Sequence, residues 1–68
     1  MADIQISLAA ARVNAKMTQQ QVAAYLKVGK QTIVSWEKGD SQPKIAQARA
    51  LSNLYNIPLD NIFFAEQI

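Results

Sequence analysis

The chain has 68 residues, half of them apolar, which allows one domain near the lower size at which a core stabilises a fold unaided. It contains no cysteine and no histidine, so a disulfide framework, a structural zinc centre and the usual acid–base catalyst are all excluded. Seven basic residues against five scattered acids leave a net charge of +2, a mild basic bias with no carboxylates paired at a catalytic spacing.

In chain order, the segment from Met1 to Ile6 alternates apolar residues at Ile4 and Ile6 and reads as an extended, loosely held arm. Ser7 is a good N-cap for a first helix predicted over Leu8–Ala15. Leu8 and Ala11 form its inward edge, with Arg12 beside them. A short connection follows before Thr18, where Gln21 three residues on completes a capping box, and Met17 and Val22 have the spacing of a hydrophobic staple. Val22, Ala23 and Leu26 then give one apolar stripe. After Lys27-Val28-Gly29 another helix begins, with Val28 and Ile33 again at staple spacing. Ile33, Trp36 and Glu37 face inward on it, whereas Lys30, Gln31, Val34, Ser35 and Lys38 make a continuous outer face. Two short helices joined by a tight turn, the second with an outer face of Lys, Gln and Ser, read as a helix-turn-helix suited to a DNA major groove.

Gly39 sits where a helix end needs positive φ, and Pro43 blocks continuation of any helix. A fourth helix is predicted from Ile45 to Asn56, with Ile45, Ala48, Leu51, Leu54 and Tyr55 as its apolar stripe. Pro58 then starts a last helical segment carrying Leu59, Ile62 and Phe63. Five short helices and no convincing strand predict an all-α domain. The expected division is an arm over 1–6, a helix-turn-helix domain over 7–63 and a tail over 64–68, with no room for a ligand-sensing domain. Lys27, Lys30, Lys38 and Lys44 lie in or beside the reading unit, whereas no basic residue follows Arg49. That asymmetry predicts a polyanion-facing side and a neutral to acidic far side. No run approaches the roughly 20 apolar residues of a membrane span, and the N-terminus lacks the pattern of a signal peptide, so a cytoplasmic location is expected.

From Ser7 to Phe63 the chain resembles the phage-repressor-like helix-turn-helix domains of the Cro/CI type, the XRE family. Arg12, Thr18-Gln19, Val22-Ala23, Leu26, Val28, Thr32-Ile33, Trp36-Glu37, Gly39, Pro43 and Leu59-Asp60-Asn61-Ile62-Phe63 carry the resemblance. Each is weak alone; the ordered set is specific. The resemblance implies a five-helix lambda-repressor-like bundle with its third helix in the major groove. It also implies a homodimer on a palindromic operator in double-stranded DNA, with half-sites about one helical turn apart. It implies base-edge contacts from Lys30, Gln31 and Ser35, a backbone contact from Gln19, and a partly buried ion pair between Arg12 and Glu37. Lys44, just after the loop proline, is expected near phosphate or the minor groove. Several positions depart from the family pattern, Pro58 at the cap position before the last helix among them. Lys27 stands where Gly is usual and must adopt positive φ, and Gly29 and Lys44 replace the preferred Ser N-cap.

The residues support these roles independently. A Gln amide such as Gln31 can pair with adenine N6 and N7 in a bidentate fashion, and Val34 can pack on a thymine methyl. Lys30 and Ser35 complete the base-reading set. Gln19 lies at a helix N-terminus, where backbone N–H groups already favour a phosphate, and Thr32, Lys38 and Lys44 are the other candidate phosphate contacts. Trp36 shares the face of Ile33 and is expected in the core. Phe64 and Ile68 are left as candidate contacts with a second chain. The leading expectation is a small phage or mobile-element Cro-like repressor that needs no cofactor or metal. An alternative is an antirepressor or antitoxin-type module acting mainly on a protein partner, such as a larger repressor.

Overall fold

The computed structural model describes residues 5–64. Its elements are β1 (Ile6–Ser7), α1 (Leu8–Asn14), α2 (Gln19–Leu26), α3 (Lys30–Lys38), α4 (Ile45–Tyr55), a 3-10 turn (Leu59–Asn61) and β2 (Ile62–Phe63). Of the expected helices, four are α-helical and the fifth is replaced by the three-residue 3-10 turn. Pro58 is the N-cap of that turn, and the backbone becomes extended at Ile62 (φ −98°, ψ 125°), so no α-helix develops. Ile62 and Phe63 therefore lie on a strand rather than a helix.

That strand is the second departure from an all-α reading. β1 and β2 pair in parallel, Ile6 opposite Ile62 and Ser7 opposite Phe63. The pairing ties the start of the chain to its end. Ile6 is partly buried and Ile62 is buried, both packed with the core. Of the expected arm, residues 1–4 lie outside the described residues, as do the tail from 65 to Ile68 and the Phe63 side chain.

Three of the four α-helices begin with a recognisable device. The Ser7 hydroxyl accepts from the Ala10 N–H at 3.1 Å. At α2 the capping box is complete, with Thr18 Oγ1 accepting from Gln21 N–H and Gln21 Oε1 accepting from Thr18 N–H. Lys44 lacks an accepting side chain, but Gln47 Oε1 takes its N–H at 2.9 Å, so α4 keeps half of a box. Gly29 is the exception, capping α3 with no side chain at all.

The helix ends share a single geometry. A left-handed residue follows each helix, namely Lys16 (φ 60°), Lys27 (φ 60°), Gly39 (φ 88°) and Asn56 (φ 56°). In every case the next N–H reaches back across the turn: Met17 to Arg12 O, Val28 to Ala23 O, Asp40 to Ser35 O and Ile57 to Ser52 O, at 3.0–3.2 Å. These are Schellman closures, which satisfy carbonyls that the helix leaves open. Met17, Val28 and Ile57, each next to its left-handed residue, pack against the core. Met17 and Val28 also stand one residue before the caps of α2 and α3, so each both closes one helix and staples the next. Two of the left-handed positions are lysines, where a Cβ costs roughly 1–2 kcal/mol.

The core gathers Leu8 and Ala11 of α1, Val22 and Ala23 of α2, Ile33 and Trp36 of α3, Leu51 and Tyr55 of α4, and Ile62. Ile33, Leu51 and Val22 are its most completely buried large side chains, each contributing roughly 1.5–3 kcal/mol of burial. The α4 stripe is narrower than its periodicity suggests. Ala48, Leu51 and Tyr55 are buried and Leu54 partly so, but Ile45 is 65% exposed. Being the first residue of α4, it lies beyond the edge of the core.

Lys27→Gly should stabilise the chain by about 0.5–1 kcal/mol, since relief of the left-handed strain outweighs the extra entropy of the unfolded chain. Urea denaturation monitored by circular dichroism checks this; a loss of stability would mean that the lysine side chain contributes packing that the strain argument omits.

Candidate nucleic-acid interface

The turn between α2 and α3 is three residues, Lys27 to Gly29, and those two helices form the most closely packed pair in the fold. Ile33 and Trp36 anchor α3 from below, at 1% and 5% exposure. The opposite face is left to solvent. Lys30, Gln31 and Lys38 line it with Thr32, Val34 and Ser35, and of these Thr32, Val34 and Ser35 are half-buried. Val34 is thus less open than its place on the outer face suggests. Trp36 belongs to the core and is not a stacking surface.

A polar knot sets the position of α3 against the first two helices. Arg12 Nε donates to Glu37 Oε2 at 2.7 Å, and Arg12 Nη2 reaches Glu37 Oε1 at 3.4 Å. The third arm of the guanidinium, Nη1, donates to the Met17 carbonyl at 3.0 Å. Gln19 Nε2 also donates to Glu37 Oε1, at 3.0 Å. One carboxylate from α3 is thereby held by α1 and by the first residue of α2. The side chains of the ion pair are 17% and 8% exposed, so the pair is largely withdrawn from water.

Beside this knot an open depression of about 350 Å³ is lined by Arg12, Met17, Thr18, Gln19, Gln20 and Lys30. It brings Gln19 and Lys30 together at the start of α2, where N–H groups and the helix dipole favour an anion. Lys38 and Lys44 lie outside it, at the end of α3 and the start of α4. Gln20 also lines it and was not among the contacts expected from the sequence. Its place as the second residue of α2 was the available signal. A second, mainly apolar depression of about 280 Å³ lies between Gln42, Pro43, Ile45, Ala48, Leu59 and Phe64. Ile68, the other candidate subunit contact, is outside the described residues.

Behind the knot, burial pushes the Tyr55 hydroxyl up to about 12, the Glu37 carboxylate adds to the rise and Arg12 opposes it. Among the described residues no group of Cys, Asp or Glu is placed to hold a metal ion, and no helix is long and apolar enough to cross a membrane.

A helix-turn-helix family profile matches residues 8–62. The chain is 35% identical over 48 residues to the cryptic phage CTXphi transcriptional repressor RstR of Vibrio cholerae, covering 71% of this chain and 43% of that protein. It is 26% identical over 57 residues to the HTH-type transcriptional activator BcrR of Enterococcus faecalis, covering 84% of this chain and 28% of that protein. The chain thus spans less than half the length of either relative. No solved structure matches it significantly.

Two outcomes follow from the knot. Glu37→Ala should cost about 3 kcal/mol in denaturant unfolding, because Arg12 is left as an uncompensated, part-buried charge; a loss under about 1 kcal/mol would make the pair no more than a surface contact. For Tyr55, the folded chain keeps the hydroxyl proton up to about pH 12, whereas the unfolded chain releases it near pH 10. The stability associated with Tyr55 is therefore intact below about pH 10 and falls as pH rises toward 12. Relative to Tyr55→Phe, the wild-type chain should lose on the order of 2 kcal/mol across that window. Parallel stability curves for the two chains would contradict the assignment.

Proposed function

This chain belongs to the XRE-type helix-turn-helix family, and from that premise we propose that it is a sequence-specific DNA-binding regulator of the Cro-like repressor kind. The single observation carrying the reading is the outer face of α3, which offers polar and cationic groups to solvent while its back is locked into the core. In the reading, α3 lies in the major groove, with Lys30, Gln31, Val34 and Ser35 toward base edges. Gln31 is exposed near the start of α3 and has the donor–acceptor pair that adenine presents. Half-burial of Val34 and Ser35 suits short contacts, a thymine methyl for Val34 and either base edge for Ser35. Gln19, Thr32, Lys38 and Lys44 meet phosphates, and Gln20 joins them from the rim of the depression.

A palindromic operator requires a second copy related by two-fold symmetry. The apolar depression with exposed Ile45 and half-buried Phe64 supports that part of the reading, since such a surface suits an apolar partner and not DNA. Both named relatives are transcriptional regulators, one a repressor and one an activator. Repression is favoured by the phage repressor covering 71% of this chain at 35% identity.

The test is fluorescence-anisotropy binding to duplexes from the gene's own neighbourhood, with scrambled controls, at several salt concentrations. Site-selective binding that weakens steeply with salt is expected, because each neutralised phosphate releases counterions. Gln31→Ala should reduce discrimination at one operator base about 10- to 100-fold and leave the salt slope unchanged. Equal affinity of the wild-type chain for operator-region and scrambled duplexes would overturn the reading and turn attention to a protein partner.

A further inference from the structure

Glu37 is accounted for so far as half of a structural ion pair, yet it makes a contact that an ion pair does not need. Its Oε1 accepts from Gln19 Nε2 at 3.0 Å. A carboxylate at neutral pH can only accept, so it forces the Gln19 amide to face it with nitrogen and not oxygen. A side-chain amide left to itself presents either end. Here the choice is made from behind, by a residue of α3 acting on the first residue of α2.

The amide nitrogen carries two hydrogens, and Glu37 takes one. The other remains for a partner in the depression that Gln19 lines with Gln20, Arg12 and Lys30. A phosphate there also only accepts, and would be repelled by a carbonyl oxygen and attracted by an N–H. We infer that Glu37 is a positioning residue for DNA binding, setting the Gln19 amide so that an N–H donor faces the phosphate beside the α2 N-terminus. The inference rests on the DNA-binding reading above.

The sign of one substitution separates this role from a purely structural one. Glu37→Gln removes a negative charge near the DNA surface and releases Arg12, so simple electrostatics makes binding tighter in a chain that stays folded. The positioning role makes it weaker, because a neutral amide in place of the carboxylate lets the Gln19 amide turn either way. The experiment measures affinity for a duplex selected by the wild-type chain from a random-sequence pool. It compares wild type, Gln19→Ala, Glu37→Gln and the double variant, at a temperature where circular dichroism shows all four folded. Gln19→Ala should weaken binding about tenfold, as for loss of one hydrogen bond to a charged group. Glu37→Gln should weaken it several-fold, and the double variant should bind no more weakly than Gln19→Ala alone. Salt slopes should not fall, since neither change removes a cation.

Tighter binding by Glu37→Gln, or losses that multiply in the double variant, would overturn the positioning role while leaving DNA binding intact. Failure of the wild-type chain to select any duplex would sink both. Should Glu37→Gln fail to fold, the side-chain amide signals of Gln19 in the wild-type chain decide the matter by nitrogen–proton NMR. Both protons should move on adding duplex, and an unmoved pair would exclude the contact.

Discussion

The Glu37 carboxylate is the point on which the architecture converges. It comes from the last turn of α3 and is gripped by Arg12 of α1 and Gln19 of α2, while the same guanidinium holds the Met17 carbonyl between those two helices. A core built largely from small and aliphatic side chains fixes spacing well but rotation poorly, because small apolar faces can slide at little cost. A directional, part-buried pair with a bidentate fork resists that slide. In the proposed reading the consequence is also functional, because the pitch of α3 relative to α2 then decides whether one helix enters a groove while the other meets the backbone.

Stability elsewhere comes from the ways in which short helices are begun and closed. Helices of 7 to 11 residues are too short to persist alone. Here each ends in a left-handed residue and a Schellman closure, and three of the four have an apolar residue next that packs into the core. Lysine at two of these turns is a local strain carried by the tertiary structure.

The sequence disclosed features that rest on local chemistry and concealed those that rest on distant partners. The Thr18–Gln21 capping box, the Met17 and Val28 staples, the left-handed Gly39 and the burial of Trp36 follow from residues a few positions apart, whereas the left-handed Lys27 followed from the family resemblance. The parallel pairing of Ile6 with Ile62 joins opposite ends of the chain over a two-residue register, too short for any alternation to announce it. Pro58 does open a helical turn, but a 3-10 turn of only three residues, and nothing local announces the strand that begins at Ile62. Left-handed Lys16 and Asn56 had neither a glycine nor a family position to mark them. Side-chain type and helical phase were enough to mark the solvent-facing side of α3, whereas the degree of burial of Val34 and the tie between Gln19 and Glu37 depend on how three helices meet.

In the proposed reading, the outer face of α3 and the start of α2 form one DNA-binding surface. Chemical-shift mapping of the nitrogen-labelled chain against a selected duplex tests it most directly, because it reports every residue at once. Perturbations should concentrate on Gln19 and Gln20, on the stretch from Lys30 to Lys38, and on Lys44, with the apolar depression around Ile45 and Leu59 affected only through a second copy. Perturbations centred on that depression, with the α3 face unmoved, would contradict the account.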